Sequence, residues 1–262
     1  MCLRQPKKIT ENETHKMPDI LPTIIVPARL ASVRFPKKLL QEVKGLPLII
    51  HTANRLKEVA SEFEIIFAVD GVELEEVLVE FGFETIRTDP NLSSGTDRIA
   101  QANLKLSKSE ILNIQADEPM VQREHILALV EGLKQGKASM TTLATPFHEK
   151  IDFEDKNQVK VVLDQEGFAL YFSRLPIPGC RDSRGLDDFS DSGVLPLKHL
   201  GLYGYTAAFL KKFTQSAQGE LEKLEKLEQL RALEMGESIA VSIVSSGTIG
   251  VDVPADLEKL KL

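Results

Sequence analysis

The order of elements along this chain predicts an α/β fold: a mostly parallel sheet with helices on both faces, carrying an inserted β-rich portion. Three observations lead there. Short apolar runs at Thr23–Val26, Glu64–Val69 and Glu110–Gln115 read as buried strands. Helical patterns at residues 47–60, 73–81, 97–105 and 122–134 alternate with them, and such alternation favours parallel pairing through right-handed crossovers. The second half then changes character, with strand patterns at Met140–Pro146, Gln158–Asp164, Phe168–Phe172 and Leu200–Tyr205.

Each element has a local reason. The first strand ends at Pro27, and Pro27 and Pro36 lack the N–H that a strand or helix interior would use. Arg29, Arg34 and Lys38 therefore sit on a loop leaving a strand's carboxyl end, where open α/β sheets place ligands. Pro47 suits the first turn of the helix at 47–60. The second strand ends at Asp70, and Ser93-Ser94-Gly95-Thr96 offers a small polar N-cap to the helix near 97–105. Ala116-Asp117-Glu118-Pro119 follows the third strand, and Asp164-Gln165-Glu166-Gly167 reads as a hairpin turn. Residues 179–196, rich in Gly, Asp and Ser, predict a mobile surface loop. A charged helix at 219–235 has leucines at 221, 224, 227, 230 and 233. At about 100° per residue this spacing winds around the helix, so it should be covered from more than one side. A strand at Ile239–Val244 and a helix from Pro254 close the chain.

Composition narrows the function classes. With 262 residues the chain can bury a large core as one domain over residues 22–262, with about 140–205 forming the β-rich portion. No apolar run approaches the roughly 20 residues of a membrane span. A net charge of −7 argues against nonspecific nucleic-acid binding, so the basic loop is a local positive site on an acidic protein. Cys2 and Cys180 are too few for a disulfide framework or a cysteine zinc site, which fits a reducing cytoplasm. Residues 1–21 have no apolar core and read as a flexible leader, with Met17 an alternative start.

The basic loop suits a polyphosphate, since each cation supplies donors and attraction; a solvated loop has the same composition. Asp117, two residues beyond Gln115, can hold Mg²⁺ or form a turn, and Asp252 can do the same or cap the last helix. Two such aspartates opposite a basic loop suit metal-assisted phosphoryl or nucleotidyl transfer. Ser94, Gly95 and Thr96 offer N–H groups and hydroxyls to a phosphate or base, or simply a capped turn. Arg174 stands at a strand end, where its fork could grip a carboxylate. Glu228 could bind a polyol hydroxyl or pair with Arg231. Tyr203, alternating with Leu202, reads as core sooner than as ligand, and His199 alone says little. No G-x-x-x-x-G-K-[ST], G-x-G-x-x-G or G-x-S-x-G motif is present, which disfavours Walker-type, dinucleotide and serine-hydrolase sites.

Seven segments occur in order: ARLASVRFPKKLL, SSGTDR, NIQADEP, VKVVLDQEGFALYFSR, HLGLYGY, LEKLEQLRALEMGE and GVDVPADLE. Together they resemble the CMP-KDO synthetase (3-deoxy-manno-octulosonate cytidylyltransferase) family over nearly everything after residue 22. The resemblance implies a Rossmann-like nucleotide-sugar transferase fold, a Mg²⁺-dependent reaction of CTP with an acidic eight-carbon sugar, a homodimer and a role in lipopolysaccharide synthesis. It implies that Arg29, Arg34 and Lys38 bind triphosphate, that Asp70, Ser94, Gly95 and Thr96 lie around the cytidine, and that Gln115 lies between nucleotide and sugar. Asp117 and Asp252 match metal ligands, and Arg174, His199, Tyr203, Glu228 and Gln229 match the sugar pocket. Ala116 stands where the family usually has glycine, and the loop 179–196 diverges. Rival expectations are another acidic sugar, 8-amino-KDO or a sialic acid, or a non-catalytic nucleotide-binding module.

Overall fold

The first apolar run becomes the middle of a sheet. In a computed structural model, which describes residues 21–31, 35–179, 196–248, 250–251 and 254–260, β1 (Thr23–Ala28) is buried along its whole length. It pairs in parallel with β4 (Ile65–Val69) on one side and β6 (Glu110–Asn113) on the other. A small hairpin of β2 (Glu42–Val43) and β3 (Leu46–Pro47) precedes α1 (Leu48–Val59). Its turn uses Gly45 at φ 81°, a conformation that costs glycine nothing. Pro47 caps α1 from outside instead of lying within its first turn.

Helix α2 (Val72–Glu80) leads to β5 (Glu84–Arg87), a short parallel edge strand on β4 that the sequence pattern did not announce. Then follow α3 (Gly95–Leu106), β6, α4 (Arg123–Lys134) and β7 (Met140–Pro146). After α5 (Lys150–Glu154) come β8 (Lys160–Leu163), β9 (Ala169–Ser173) and the ten-residue β10 (Leu197–Thr206). The expected mobile loop falls mostly on residues outside those described.

Nine described strands form one sheet, with β11 (Ile239–Ile243), β7, β10, β6, β1, β4 and β5 in spatial order and β8 and β9 branching from β10. The core around β1 is parallel, while β10 runs antiparallel to β6, β7 and β8. Of the strands expected in an inserted β-rich portion, β7 and β10 are central members of the main sheet, and β8–β9 make the branch.

Two apolar layers flank the sheet. Leucines and isoleucines of α1, α2 and α4 pack with Ile24, Val26, Leu112 and Leu202 on one face. On the other, Ile99 of α3 meets Ile25, Ile111 and Tyr205, together with Phe209 and Phe213 of α6 (Ala207–Gln215). Thr206 caps α6 by accepting the Phe209 N–H, a signal its sequence carried.

One expected element breaks. The helix predicted over 219–235 is two short helices, α7 (Glu220–Glu225) and α8 (Gln229–Glu234), separated by Lys226 in the left-handed region at φ 55°. Consequently Leu221 and Leu224 are exposed, whereas Leu227 and Leu230 are buried; the leucines are not covered all round. The last helix, from Pro254, is a 3₁₀ segment, Pro254–Lys259.

Candidate functional site

The carboxyl ends of β1 and β6 lie side by side because those strands pair in parallel. Lys38, at the end of the basic loop, donates through Nζ to Asp117 Oδ2, just past β6. Both side chains are largely buried, 12% and 25% exposed, so the contact is partly shielded from water. Phe35 anchors the loop in a small apolar cluster with Leu48, Val251 and Leu260. The Val251 N–H donates to the Asp117 carbonyl at 3.0 Å, which returns the C-terminal segment to the end of β6. Asp252 and Arg34 lie outside the described residues.

Arg29 is exposed. Asp70, at the end of β4, accepts the Leu30 N–H through Oδ2 at 3.0 Å and so fixes the first residues of the basic loop. Its Oδ1 is buried with no partner among the described residues, which leaves an acceptor for a ligand donor. Beneath it lies Arg98, 2% exposed, which donates to the Thr88 hydroxyl. Burial lowers the Arg98 pKa, and the Asp70 charge opposes that fall.

The start of α3 lies against the same strand ends. Ser94 caps the helix, accepting the Asp97 N–H at 3.1 Å. A Cβ on Gly95 would stand 3.3 Å from Pro27 Cγ and 3.9 Å from Gln115 Oε1, so glycine permits the helix end to close on β1 and β6. Gln115 is held by its Nε2 donating to Asn113 Oδ1 at 3.0 Å.

Thr96 joins this end to the other. Its hydroxyl donates to Glu228 Oε2, between α7 and α8. Burial raises the Glu228 carboxyl above its ordinary range, opposed by hydrogen bonds from Thr96 and Ser94 and by the Arg231 cation. Of the two readings of Glu228, the pairing with Arg231 is loose: Arg231 lies 3.9 Å away, and its close partner is Glu222, held by two hydrogen bonds of 2.7 and 2.6 Å.

An aromatic ladder on β10 completes the second end. His199 packs edge-on to Phe172 at 4.9 Å and beside Tyr203 at 5.5 Å, and Tyr203 stacks on Tyr205 at 5.9 Å. The Tyr203 hydroxyl donates to Gln229 Oε1 at 3.3 Å. Gln229 Nε2 is buried without a partner among the described residues, a donor left for a ligand. Burial lowers the His199 pKa to about 3, so its ring is neutral. The Thr142 hydroxyl lies 2.8 Å from the Leu202 carbonyl, to which it donates, so it accepts from His199 Nε2–H at 3.0 Å. Tyr203 is likewise held protonated, chiefly by burial.

Arg174 stands apart from these groups. Its guanidinium donates to the carbonyls of Glu225 (2.7 Å), Lys156 (3.1 Å) and Lys226 (3.3 Å). It holds the turn before Glu228 from behind. Sequence reasoning passed over Glu225, Lys160 and Asn113; only Lys160, a charge inside the apolar run VKVV, carried a local signal.

A separate groove of about 880 Å³ between α3 and α6 is lined by Asn91, Gln101, Leu104, Lys211 and Arg231, and by none of the candidate residues. Among the described residues no three His, Cys, Asp or Glu side chains cluster as a metal cage, and no helix is long and apolar enough to cross a membrane.

A mostly parallel core flanked by helices, with candidate groups at the carboxyl ends of β1, β4 and β6, is the architecture of Rossmann-like nucleotidyltransferases. The cytidylyltransferase family profile matches residues 23–239, and the chain belongs to that family. It is 42% identical over 243 residues to a 3-deoxy-manno-octulosonate cytidylyltransferase of a Nitratiruptor species, covering 90% of this chain and 97% of that one. A CMP:2-keto-3-deoxy-manno-octonic acid synthetase solved with CTP superposes with a TM-score of 0.82 at 34% identity, over 91% of this chain and 95% of the other. A putative glucose-1-phosphate thymidylyltransferase from Bacillus anthracis shares the fold alone, with a TM-score of 0.61 at 14% identity over 91% and 93% of the two chains.

Proposed function

We propose that the chain activates 3-deoxy-D-manno-octulosonate (KDO) with CTP, giving CMP-KDO and pyrophosphate. One observation carries this reading. The Lys38–Asp117 contact lies just past β6, the start of α3 packs at Gly95 against Pro27 and Gln115 of the same strand ends, and Thr96 beside it bonds to Glu228, next to a second set of polar groups with an unspent buried donor. One end is built for phosphates and the other for a hydroxyl-rich partner.

In the reaction the anomeric hydroxyl of the sugar gives its proton up to solvent as its oxygen bonds to the α-phosphorus, the bond to the bridging oxygen breaks, and pyrophosphate departs in line. Arg29, Arg34 and Lys38 bind the triphosphate and stabilise the charge that develops on the leaving group. Ser94, Gly95 and Thr96 hold the nucleoside side. Glu228, Gln229, Tyr203 and His199 orient the sugar, which shortens the search for the attacking geometry. Gln115 stands between the two. No side chain is required as a covalent nucleophile.

The chemistry of Asp117 fits Mg²⁺. It is a hard oxygen donor at a strand end, partly open, already facing a cation in Lys38, and Mg²⁺ takes one or two carboxylates together with substrate phosphates. Asp117 and Asp252 would hold the ion, which when bound supplies neutralisation of phosphate charge. On the same reading the enzyme acts in the cytoplasm as a homodimer and serves lipopolysaccharide synthesis, as the family resemblance supports.

Pyrophosphate release with CTP and Mg²⁺ across KDO, 8-amino-KDO and sialic acid, repeated with the other nucleoside triphosphates, tests the reading. The largest kcat/KM is expected for KDO with CTP. A preference for another sugar would replace the substrate, and no release with any pair would leave a non-catalytic binding protein.

A further inference from the structure

The stretch Glu220–Glu234 is rich in strong helix formers, yet the helix breaks at Lys226. A non-glycine residue in the left-handed region is costly, so something outside the helix must hold it there. In an unbroken helix the carbonyls of Glu225 and Lys226 would accept from residues four positions on. Instead both accept from the Arg174 guanidinium, at 2.7 and 3.3 Å. Arg174 thus satisfies the end of α7 from a distant strand, as a helix cap does.

Arg174 can do this only if its backbone is fixed, and Glu225 fixes it. The Glu225 carboxylate accepts the Ser173 hydroxyl at 2.8 Å and the Arg174 N–H at 3.0 Å. Behind them Lys160, fully buried, donates to the Arg174 carbonyl at 3.1 Å and the Asp155 carbonyl at 2.6 Å. Glu225 and Arg174 therefore bind each other twice over, side chain to backbone in both directions. The product is the turn at Lys226, which presents Glu228 to Thr96 and Gln229 to Tyr203.

We propose that Glu225 is a positioning residue for the sugar end of the site: with Ser173 and Arg174 it clamps the Lys226 turn and so fixes the placement of Glu228 and Gln229. The inference rests on the assignment of those two residues to the sugar. A clamp that serves only stability lowers the melting temperature and the active fraction but leaves both Michaelis constants alone. A positioning clamp separates them.

Steady-state pyrophosphate release, with sugar and CTP varied in turn, makes the distinction. Glu225→Ala is expected to raise the KM for the sugar about tenfold, the scale of a lost hydrogen bond to a charged group, with the KM for CTP within about twofold. Ser173→Ala, which removes one of the two contacts to the Glu225 carboxylate together with the acceptor of the Leu175 N–H, is expected to shift the sugar KM in the same direction by about threefold, and carries the test should the first variant not fold. Glu225→Gln, which keeps an acceptor for Ser173, is expected to recover part of the loss. Unchanged sugar KM in the folded variants, or an equal rise in both constants, overturns the proposal. Its failure is distinct from failure of the functional reading, in which the unmodified enzyme itself shows no sugar-dependent release.

Discussion

At the proposed nucleotide end, Lys38, Asp70, Gly95 and Asp117 stand on turns past strand ends or at a helix start, each partly open to solvent. At the proposed sugar end, His199 and Gln229 are 7% and 4% exposed, and their neighbours are rings stacked along β10. The first end handles charge by pairing it near water, as Lys38 does with Asp117. The second disfavours charge: burial holds His199 unprotonated and Tyr203 protonated, and pushes the Glu228 carboxyl upward against the hydrogen bonds that favour its charged form. A polyphosphate is bound by charge, whereas a sugar is read by hydrogen bonds whose donors and acceptors must not be satisfied by water.

Breaking this contrast at its centre should have the largest effect. Asp117→Asn is expected to reduce kcat for pyrophosphate release about 10³-fold, on the scale of removing one preorganised charge-stabilising group. The melting temperature should stay within a few degrees, because the amide oxygen still accepts from Lys38. Retention of most activity would show that Asp117 is not at the reacting centre. The sugar half offers the matching test of stability. Glu222 and Arg231 are both nearly inaccessible, at 7% and 6% exposure, and bound by two hydrogen bonds. Arg231→Met leaves a buried carboxylate unpaired and is expected to destabilise the protein by about 3–5 kcal/mol in denaturant titration, while Glu222→Leu combined with it should recover much of the loss.

The neutral ring of His199 sharpens the comparison through pH. Its folded pKa, about 3, lies below the ordinary value of 6.5, so the unfolded chain binds a proton that the folded one refuses. Stability tied to this ring is fully present above pH 6.5 and falls by about 1.4 kcal/mol per unit as pH drops toward 3. His199→Phe should flatten that slope between pH 6.5 and 4, followed by thermal or denaturant unfolding. Least affected of all should be the outer rim of the phosphate end. Lys37 and Glu73 form an ion pair with more than half of each side chain in water, so Lys37→Ala is expected to change stability by less than about 0.5 kcal/mol.

The same contrast explains what was legible in the sequence. Strand β1, the basic loop after it, the capped start at Ser94 and the carboxylate at Asp117 all follow from residues next to one another, and open sheets gather ligands at strand ends. The Lys226 break could not be read locally, because its cause is Arg174, some fifty residues earlier in the chain and brought near by β9. Tertiary contacts overrode a strong helical pattern there. Strand β5 escaped because Glu84–Arg87 is a half-exposed edge with no long apolar run. Helix α6 had readable cues in the Thr206 cap and in Phe209, Leu210 and Phe213 on one face. Asp70 was recognisable as a strand-end carboxylate, but its hold on the Leu30 N–H required the fold to be seen.

Strand β10 carries His199 and Tyr203 while hydrogen-bonded to β6, β7 and β8. If these residues read the sugar as proposed, its recognition is woven into the middle of the molecule and cannot be lifted out as a cassette. On that reading a new sugar preference has to arise one side chain at a time, since exchanging the segment whole would unpair β6, β7 and β8.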